Sequence, residues 1–298
     1  MPELVIISGK GGTGKTSVAA SLAALARPIV LADCDVDASD LHLVLEPATK
    51  ERHAFLGGNK ARISADRCMG CGKCAELCRF DAIVCEDFDN NPAKQLYQVD
   101  PLACEGCGVC VRFCPETAIE LFPARSGEWF ASETRCGSMV HARLDPAAGN
   151  SGKLINQLRQ RARELVVSDQ ELILCDGSPG IGCPVIASLT GADLALIVVE
   201  PTLSSLHDLK RVLDLCRYFH MEVAVAVNKW DLNPDLTEQI EAQAANWGLP
   251  VAGRLRYALA VTEAQVQRKS VVEHAPESGI ASDLRRLWAG VRLRLNRS

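Results

Sequence analysis

The chain has 298 residues, a net charge of −5 and no lysine- or arginine-rich block, which points away from nucleic acid as a partner. Hydrophobic residues make up 48% and aromatic residues 5%, a balance that suits an aliphatic α/β core with a substantial interior. No apolar run approaches the ~20 residues that span a bilayer, the first residues already read as strand and loop, and 14 cysteines occur without an export signal; the expected setting is a reducing cytoplasm with metal use.

The first strand candidate, 4–7 (Leu-Val-Ile-Ile), runs directly into Gly9, Lys10, Gly11, Gly12, Thr13, Gly14, Lys15 and Thr16. This is G-x-x-x-x-G-K-[ST], a phosphate-binding loop. Ser17 opens an alanine- and leucine-rich stretch to Ala26 that favours helix. Backbone N–H groups of the loop and of the helix N-terminus would then cradle phosphates. A second strand candidate, 29–32, ends on Asp33, Asp35 and Asp37, where an aspartate can serve either a site or a helix cap.

The middle of the chain carries two cysteine runs, Cys68, Cys71, Cys74, Cys78 and Cys104, Cys107, Cys110, Cys114. Both have the C-x2-C-x2-C-x3-C spacing of bacterial two-cluster ferredoxins, in which the fourth cysteine serves the other cluster. One [4Fe–4S] cluster is therefore expected on Cys68, Cys71, Cys74 and Cys114, and the other on Cys78, Cys104, Cys107 and Cys110. Structural zinc uses paired hooks and seldom three cysteines at two-residue steps. Gly70, Gly72, Gly106 and Gly108 let the backbone bend around such a group. Pro115 follows the second run but Arg79 follows the first, and Phe80–Ile83 echoes Glu116–Ile119, so the duplication extends past the cysteines. This insert is placed at 58–125, with Gly57-Gly58-Asn59 as an entrance turn and Pro123 and Gly127 as exit signals.

Beyond it, strand candidates at 172–175, 194–199 and 223–227 alternate with helical patterns at 153–167, 205–219 and 235–246. The rhythm reads as an α/β fold, a parallel sheet with helices on both faces, and puts the phosphate loop at the carboxyl end of a strand. Asp176 and Gly180 close one strand region, and Asn228 and Asp231 form N-K-x-D after another. Leu284, Leu287, Trp288, Val291 and Leu295 share one face of a C-terminal helix.

With Lys10 after the first glycine, the loop resembles that of the deviant phosphate-loop ATPases, the superfamily of MinD, ParA, Mrp-type carriers and the nitrogenase iron protein. The whole chain resembles those members that carry an inserted ferredoxin domain, among them ATPases of the orange-protein complex in sulfate-reducing bacteria. The resemblance implies a P-loop NTPase domain at 1–57 and 126–298 that binds ATP and Mg²⁺ and forms a nucleotide-dependent homodimer, or a heterodimer with a paralogue. It gives Lys10 a phosphate contact across that dimer, Lys15 a contact within its own chain, and Thr16 the Mg²⁺. Asp35 would orient the attacking water, Asp33 and Asp176 would support Mg²⁺, Gly180 would sense the γ-phosphate, and Asn228 with Asp231 would meet the base. Ser178 stands where relatives have a proline.

Two functions follow from the resemblance. One is an ATPase coupled to electron transfer to a redox partner. The other is a MinD/ParA-like positioning factor, or a cluster carrier, whose clusters act as sensor or cargo. Cys136 and Cys183 do not form the C-x2-C pair of Mrp-type carriers, which weighs against the carrier. The C-terminal helix is expected to pack on the core, with peripheral membrane contact as the alternative that MinD suggests.

Overall fold

The computed structural model describes residues 1–87, 95–146, 148–149, 151–168 and 171–296; residues 88–94 of the insert lie outside them. In chain order the elements begin β1 (Glu3–Ser8), α1 (Lys15–Leu25), β2 (Ile29–Asp33), α2 (Leu41–Leu45), β3 (Ala48–Ile63), α3 (Lys73–Glu76), β4 (Ile83–Asp87) and β5 (Gln95–Val99). They continue α4 (Val109–Phe113), β6 (Ile119–Glu133), β7 (Ser138–Leu144), α5 (Ser151–Leu165), β8 (Leu172–Pro179), α6 (Cys183–Leu189) and β9 (Leu194–Val199). The last are α7 (Leu203–Tyr218), β10 (Glu222–Asn228), α8 (Pro234–Asn246), β11 (Val251–Leu255), α9 (Leu259–Val266), α10 (Val271–His274) and α11 (Gly279–Leu295). The chain divides into two compact units, Met1–His53 with Glu128–Leu144 and Ser151–Ser298, and Ala54–Gly127 with Asp145–Asn150.

The first unit is built on a sheet whose strand order is β11-β10-β9-β1-β8-β2-β7-β6-β3. From β11 to β7 the neighbours pair in parallel. Leu4, Val5, Ile6 and Ile7 of β1 are fully buried, because a central parallel strand is covered on both faces and needs apolar residues on both. Burying each such side chain contributes roughly 1.5–3 kcal/mol. The strand and helix candidates at 4–7, 17–26, 29–32, 153–167, 172–175, 194–199, 205–219, 223–227 and 235–246 all correspond to elements of this unit.

The C-terminal helix is part of the same core. Leu284, Leu287, Val291 and Leu295 are buried in one cluster with Val18 and Leu22 of α1, and Trp288 packs against it. Ser278 caps the helix by accepting from the Ala281 N–H at 3.3 Å, and Arg256 clamps Asp283 at 2.7 Å. Among the described residues no helix is long and apolar enough to cross a membrane.

In the second unit, β4 and β5 form an antiparallel pair with Ile83 opposite Val99 and Cys85 opposite Tyr97. Ala61, Ala82, Cys104 and Ile119 make a small core, so Ala82-Ile83 and Ala118-Ile119 both place buried residues, as the repeat requires. The glycines read as an entrance turn lie instead inside β3, and Pro123 and Gly127 lie inside β6. At Gly57 the reason is close approach: a Cβ there would stand 2.6 Å from the Ser126 side chain. Glycine here serves strand contact and not a turn.

Candidate nucleotide site and cysteine-lined cavities

The loop between β1 and α1 turns through Gly12 and Gly14, at φ 79° and 88°. A Cβ on Gly14 would lie 2.3 Å from Asn228 Nδ2, so this residue must be glycine for both conformation and space. α1 then starts at Lys15. A cavity of about 470 Å³ opens here, lined by residues 11–17 together with Asp35, Asn228, Lys229, Tyr257 and Gln265 among others, a size that suits a small-molecule ligand.

Lys15 is buried and bonds Asp176 Oδ1 at 2.6 Å and Asp35 Oδ2 at 3.2 Å. Burial by itself would lower its pKa, but Asp176 and Asp35 outweigh burial and hold it at about 12. Asp33 is fully buried and accepts from Ser39 Oγ at 2.7 Å. Burial, followed by the Asp176 charge, pushes its carboxyl up to about 7. Burial also raises Asp35, with Lys15 opposing.

Three buried carboxyl groups thus share one ammonium, two of them, Asp35 and Asp176, in direct contact with it. Asp176 Oδ2 and Thr13 Oγ1 are buried with no hydrogen-bond partner. Unpaired buried oxygens are costly, and an oxygen-rich acidic set suits a hard divalent cation such as Mg²⁺. Thr16 lines the same cavity.

Other expected residues sit differently. Lys10 is outside the cavity lining, held by Glu200 Oε1 at 2.8 Å and by Thr202 and Ser204 hydroxyls at 3.0 Å. Asn228 lines the cavity, but its amide donates to Thr13 O at 2.7 Å. Asp231 accepts from the Tyr257 N–H at 2.7 Å, and the Gly180 N–H donates to Ser8 O at 2.8 Å, with φ 94°. Ser178 uses its hydroxyl to bond Cys34 O at 2.8 Å, a contact proline could not make.

Glu200 was not legible as a site residue. It joins Lys10 to Lys229, whose Nζ lies 3.1 Å from Glu200 Oε2 and 3.0 Å from Gly12 O. It belongs to no motif, and only the fold brings it to the loop.

In the second unit two small cavities are framed by cysteine. One is lined by Cys68, Cys71, Cys74 and Cys114, with Tyr97, Ile63 and Ile119. The other is lined by Cys78, Cys104, Cys107 and Cys110, with Ala61, Val99 and Ile83. Backbone N–H groups point at sulfur: Gly106 to Cys104 Sγ at 3.4 Å, Ala61 to the same sulfur at 3.5 Å, and Ala118 to Cys114 Sγ at 3.3 Å. Such donors favour thiolate. Burial raises the thiol pKa of Cys74 and of Cys110.

All fourteen cysteines are unbridged. Among the described residues no three His, Cys, Asp or Glu side chains gather tightly enough for a single metal ion. Each cavity is framed by four cysteines, and four cysteines are the ligand set of a [4Fe–4S] cube. Of the six remaining cysteines, Cys34, Cys136, Cys175 and Cys216 are buried, while Cys85 and Cys183 are exposed.

Comparison with known proteins agrees with this architecture. The chain is similar to an uncharacterized protein of Methanocaldococcus jannaschii, 37% identical over 235 residues that span 78% of this chain and 79% of that one. Its fold is similar to that of the cell division ATPase MinD of Pyrococcus furiosus, with TM-score 0.56, 18% identity and 98% of each chain covered. It is also similar to MinD of Pyrococcus horikoshii complexed with Mg-ADP, with TM-score 0.57, 17% identity and 97% and 95% covered. A third fold neighbour is the McdA(D38A)–ATP complex of Cyanothece, with TM-score 0.58, 15% identity and 99% and 96% covered. Residues 4–271 match the CobQ/CobB/MinD/ParA nucleotide-binding domain, and the chain belongs to that family.

Proposed function

We propose that this protein is a Mg²⁺-dependent ATPase whose cysteine-rich insert holds two [4Fe–4S] clusters, and that nucleotide state governs electron transfer to a partner protein. The observation that carries this reading is the sorting of eight cysteines into two cavities, each framed by three cysteines of one run and the fourth of the other. Cys68, Cys71, Cys74 and Cys114 would hold one cluster, and Cys78, Cys104, Cys107 and Cys110 the other. When bound, the clusters supply one-electron transfer at potentials tuned by the hydrogen bonds and exposure of their sulfurs.

The nucleotide half rests on the loop and the acidic set. Backbone N–H groups of residues 11–16 would bind the phosphates, with Lys15 turning its ammonium to them. Asp176, Asp33 and Thr16 would serve Mg²⁺, and Asp35, released from Lys15, would orient the attacking water. Lys10 would leave Glu200 to reach phosphate bound by a second copy or a paralogue. Asn228 and Asp231 would face the base, and Gly180 the γ-phosphate.

In the sequence the insert lies between Asp33–Asp37 and Asp176–Gly180, the two segments assigned to the phosphate end of the nucleotide. Segments ordered by a γ-phosphate are a known route of switching. Iron and sulfide analysis of the anaerobically reconstituted chain, beside Mg²⁺-ATP turnover, tests the reading. About eight irons per chain are expected from two four-iron clusters. Iron that stays absent, or a chain that neither binds nor hydrolyses ATP, would contradict it.

A further inference from the structure

Glu200 stands where three strand ends meet. β9 lies between β10 and β1 in the sheet, with Ile197 opposite Ile7 and Val199 opposite Val227. Glu200 directly follows β9, Lys229 directly follows β10, and Lys10 comes two residues after β1. The parallel register therefore sets one carboxylate between two ammoniums: Lys10 Nζ lies 2.8 Å from Glu200 Oε1, and Lys229 Nζ 3.1 Å from Glu200 Oε2. Burial would raise the Glu200 carboxyl, but bonds from Lys10 and Lys229 outweigh it and hold it below its ordinary value, so it is charged at neutral pH.

The rest of the Lys10 setting is poor for a cation. Its ammonium also donates to the hydroxyls of Thr202 and Ser204 at 3.0 Å. Thr202 is the N-cap of α7, accepting from the Ser205 N–H at 3.2 Å, and Ser204 lies in the first turn of that 16-residue helix. A helix N-terminus carries partial positive charge and disfavours an ammonium. Glu200 is thus the group that makes this position favourable for Lys10. Lys10 can also leave without stranding the carboxylate, because Lys229 still pairs with Glu200. Losing a partner is costly chiefly where it leaves a buried charge uncompensated.

Resting on the reading that Lys10 reaches phosphate bound by a second copy, we propose that Glu200 is a positioning residue, a latch that holds Lys10 against its own chain and sets how readily two nucleotide-loaded copies join. Phosphate on the second copy competes with Glu200 for the same ammonium. The Lys10 and Glu200 side chains are 31% and 17% exposed, so the pair is reachable and weak enough to open. Each pair of copies opens two latches, and removing the carboxylate should tighten their association on the order of fivefold.

The test is analytical ultracentrifugation of the full-length chain with Mg²⁺ and a saturating non-hydrolysable ATP analogue. It compares the parent, Glu200→Gln, Lys10→Ala and the two substitutions combined. Glu200→Gln should lower the dimer dissociation constant about fivefold, whereas the combined variant should associate no better than Lys10→Ala. Ser204→Ala, which removes one hydroxyl acceptor, should act as Glu200→Gln does, to a smaller extent. Association unchanged or weakened in Glu200→Gln, or tightened equally when Lys10 is absent, would overturn the latch and leave the role of Lys10 standing. A parent chain that stays monomeric, or Lys10→Ala that associates as the parent does, would overturn the role given to Lys10, and this inference with it.

Discussion

Lys15 carries the charge balance of the nucleotide site, since its ammonium is the partner of both Asp176 and Asp35. Lys15→Ala is expected to abolish ATP binding in calorimetry and to destabilise the nucleotide-free chain by about 3 kcal/mol, because a buried charge pair loses one member. A variant that binds ATP as the parent does would remove Lys15 from the phosphate site. A second residue-scale prediction concerns Glu273. Burial would raise its carboxyl, but bonds from Arg135 and Ser270 outweigh burial and hold it at about 2. The folded value lies below the ordinary 4.5, so the stabilisation is complete above about pH 4.5 and is lost as the pH falls toward 2. Glu273→Gln should cost about 1–2 kcal/mol at pH 7, reduced by partial exposure, and flatten the acid limb of a stability–pH curve. The loop and the cysteines were legible in the sequence because their chemistry fixes their spacing. Glu200 was not, since it acts through Lys10 and Lys229, neighbours distant in sequence.

At the scale of elements, the strands that were legible are those of the parallel core, where burial on both faces writes continuous apolar runs such as Leu4–Ile7 and Leu194–Val199. β3 and β6 were hidden. β3 carries Lys50, Glu51, Arg52 and the pair Gly57-Gly58, with only three of its sixteen residues buried, so its pattern is polar and its glycines mimic a turn. The C-terminal helix, by contrast, shows its docking face in the sequence, and Leu284, Leu287, Val291 and Leu295 are buried in the core. Leu287, fully buried in the cluster with α1, should cost 2–5 kcal/mol when replaced by alanine. With its apolar face so occupied, α11 has none free for lipid, and liposome flotation should recover no protein with or without ATP; ATP-dependent recovery would contradict that. Gly14→Ala meets both a φ of 88° and the Asn228 amide, and ATP affinity should fall at least tenfold, about 1.4 kcal/mol.

For the whole molecule, two compact units of one chain divide the chemistry. The larger carries the family's nucleotide-binding features, and the smaller carries both cysteine cavities. The sequence showed that the cysteine runs interrupt the ATPase motifs, because Lys15 lies before them and Asp176 after. It did not show where the chain first enters the smaller unit and first leaves it, since those two passages occur inside β3 and β6 and not at turns. A saturating nucleotide should stabilise the folded chain by about 2.7 kcal/mol at one hundred times its Kd. The central claim is coupling between nucleotide state and clusters. Its most direct test is an anaerobic EPR titration of the reduced protein without nucleotide, with ADP, with Mg²⁺-ATP, and with Mg²⁺-ATP after Lys15→Ala. Cluster signals or potentials that shift with ATP and no longer shift in the variant are the expected result, whereas two clusters indifferent to every nucleotide would contradict it.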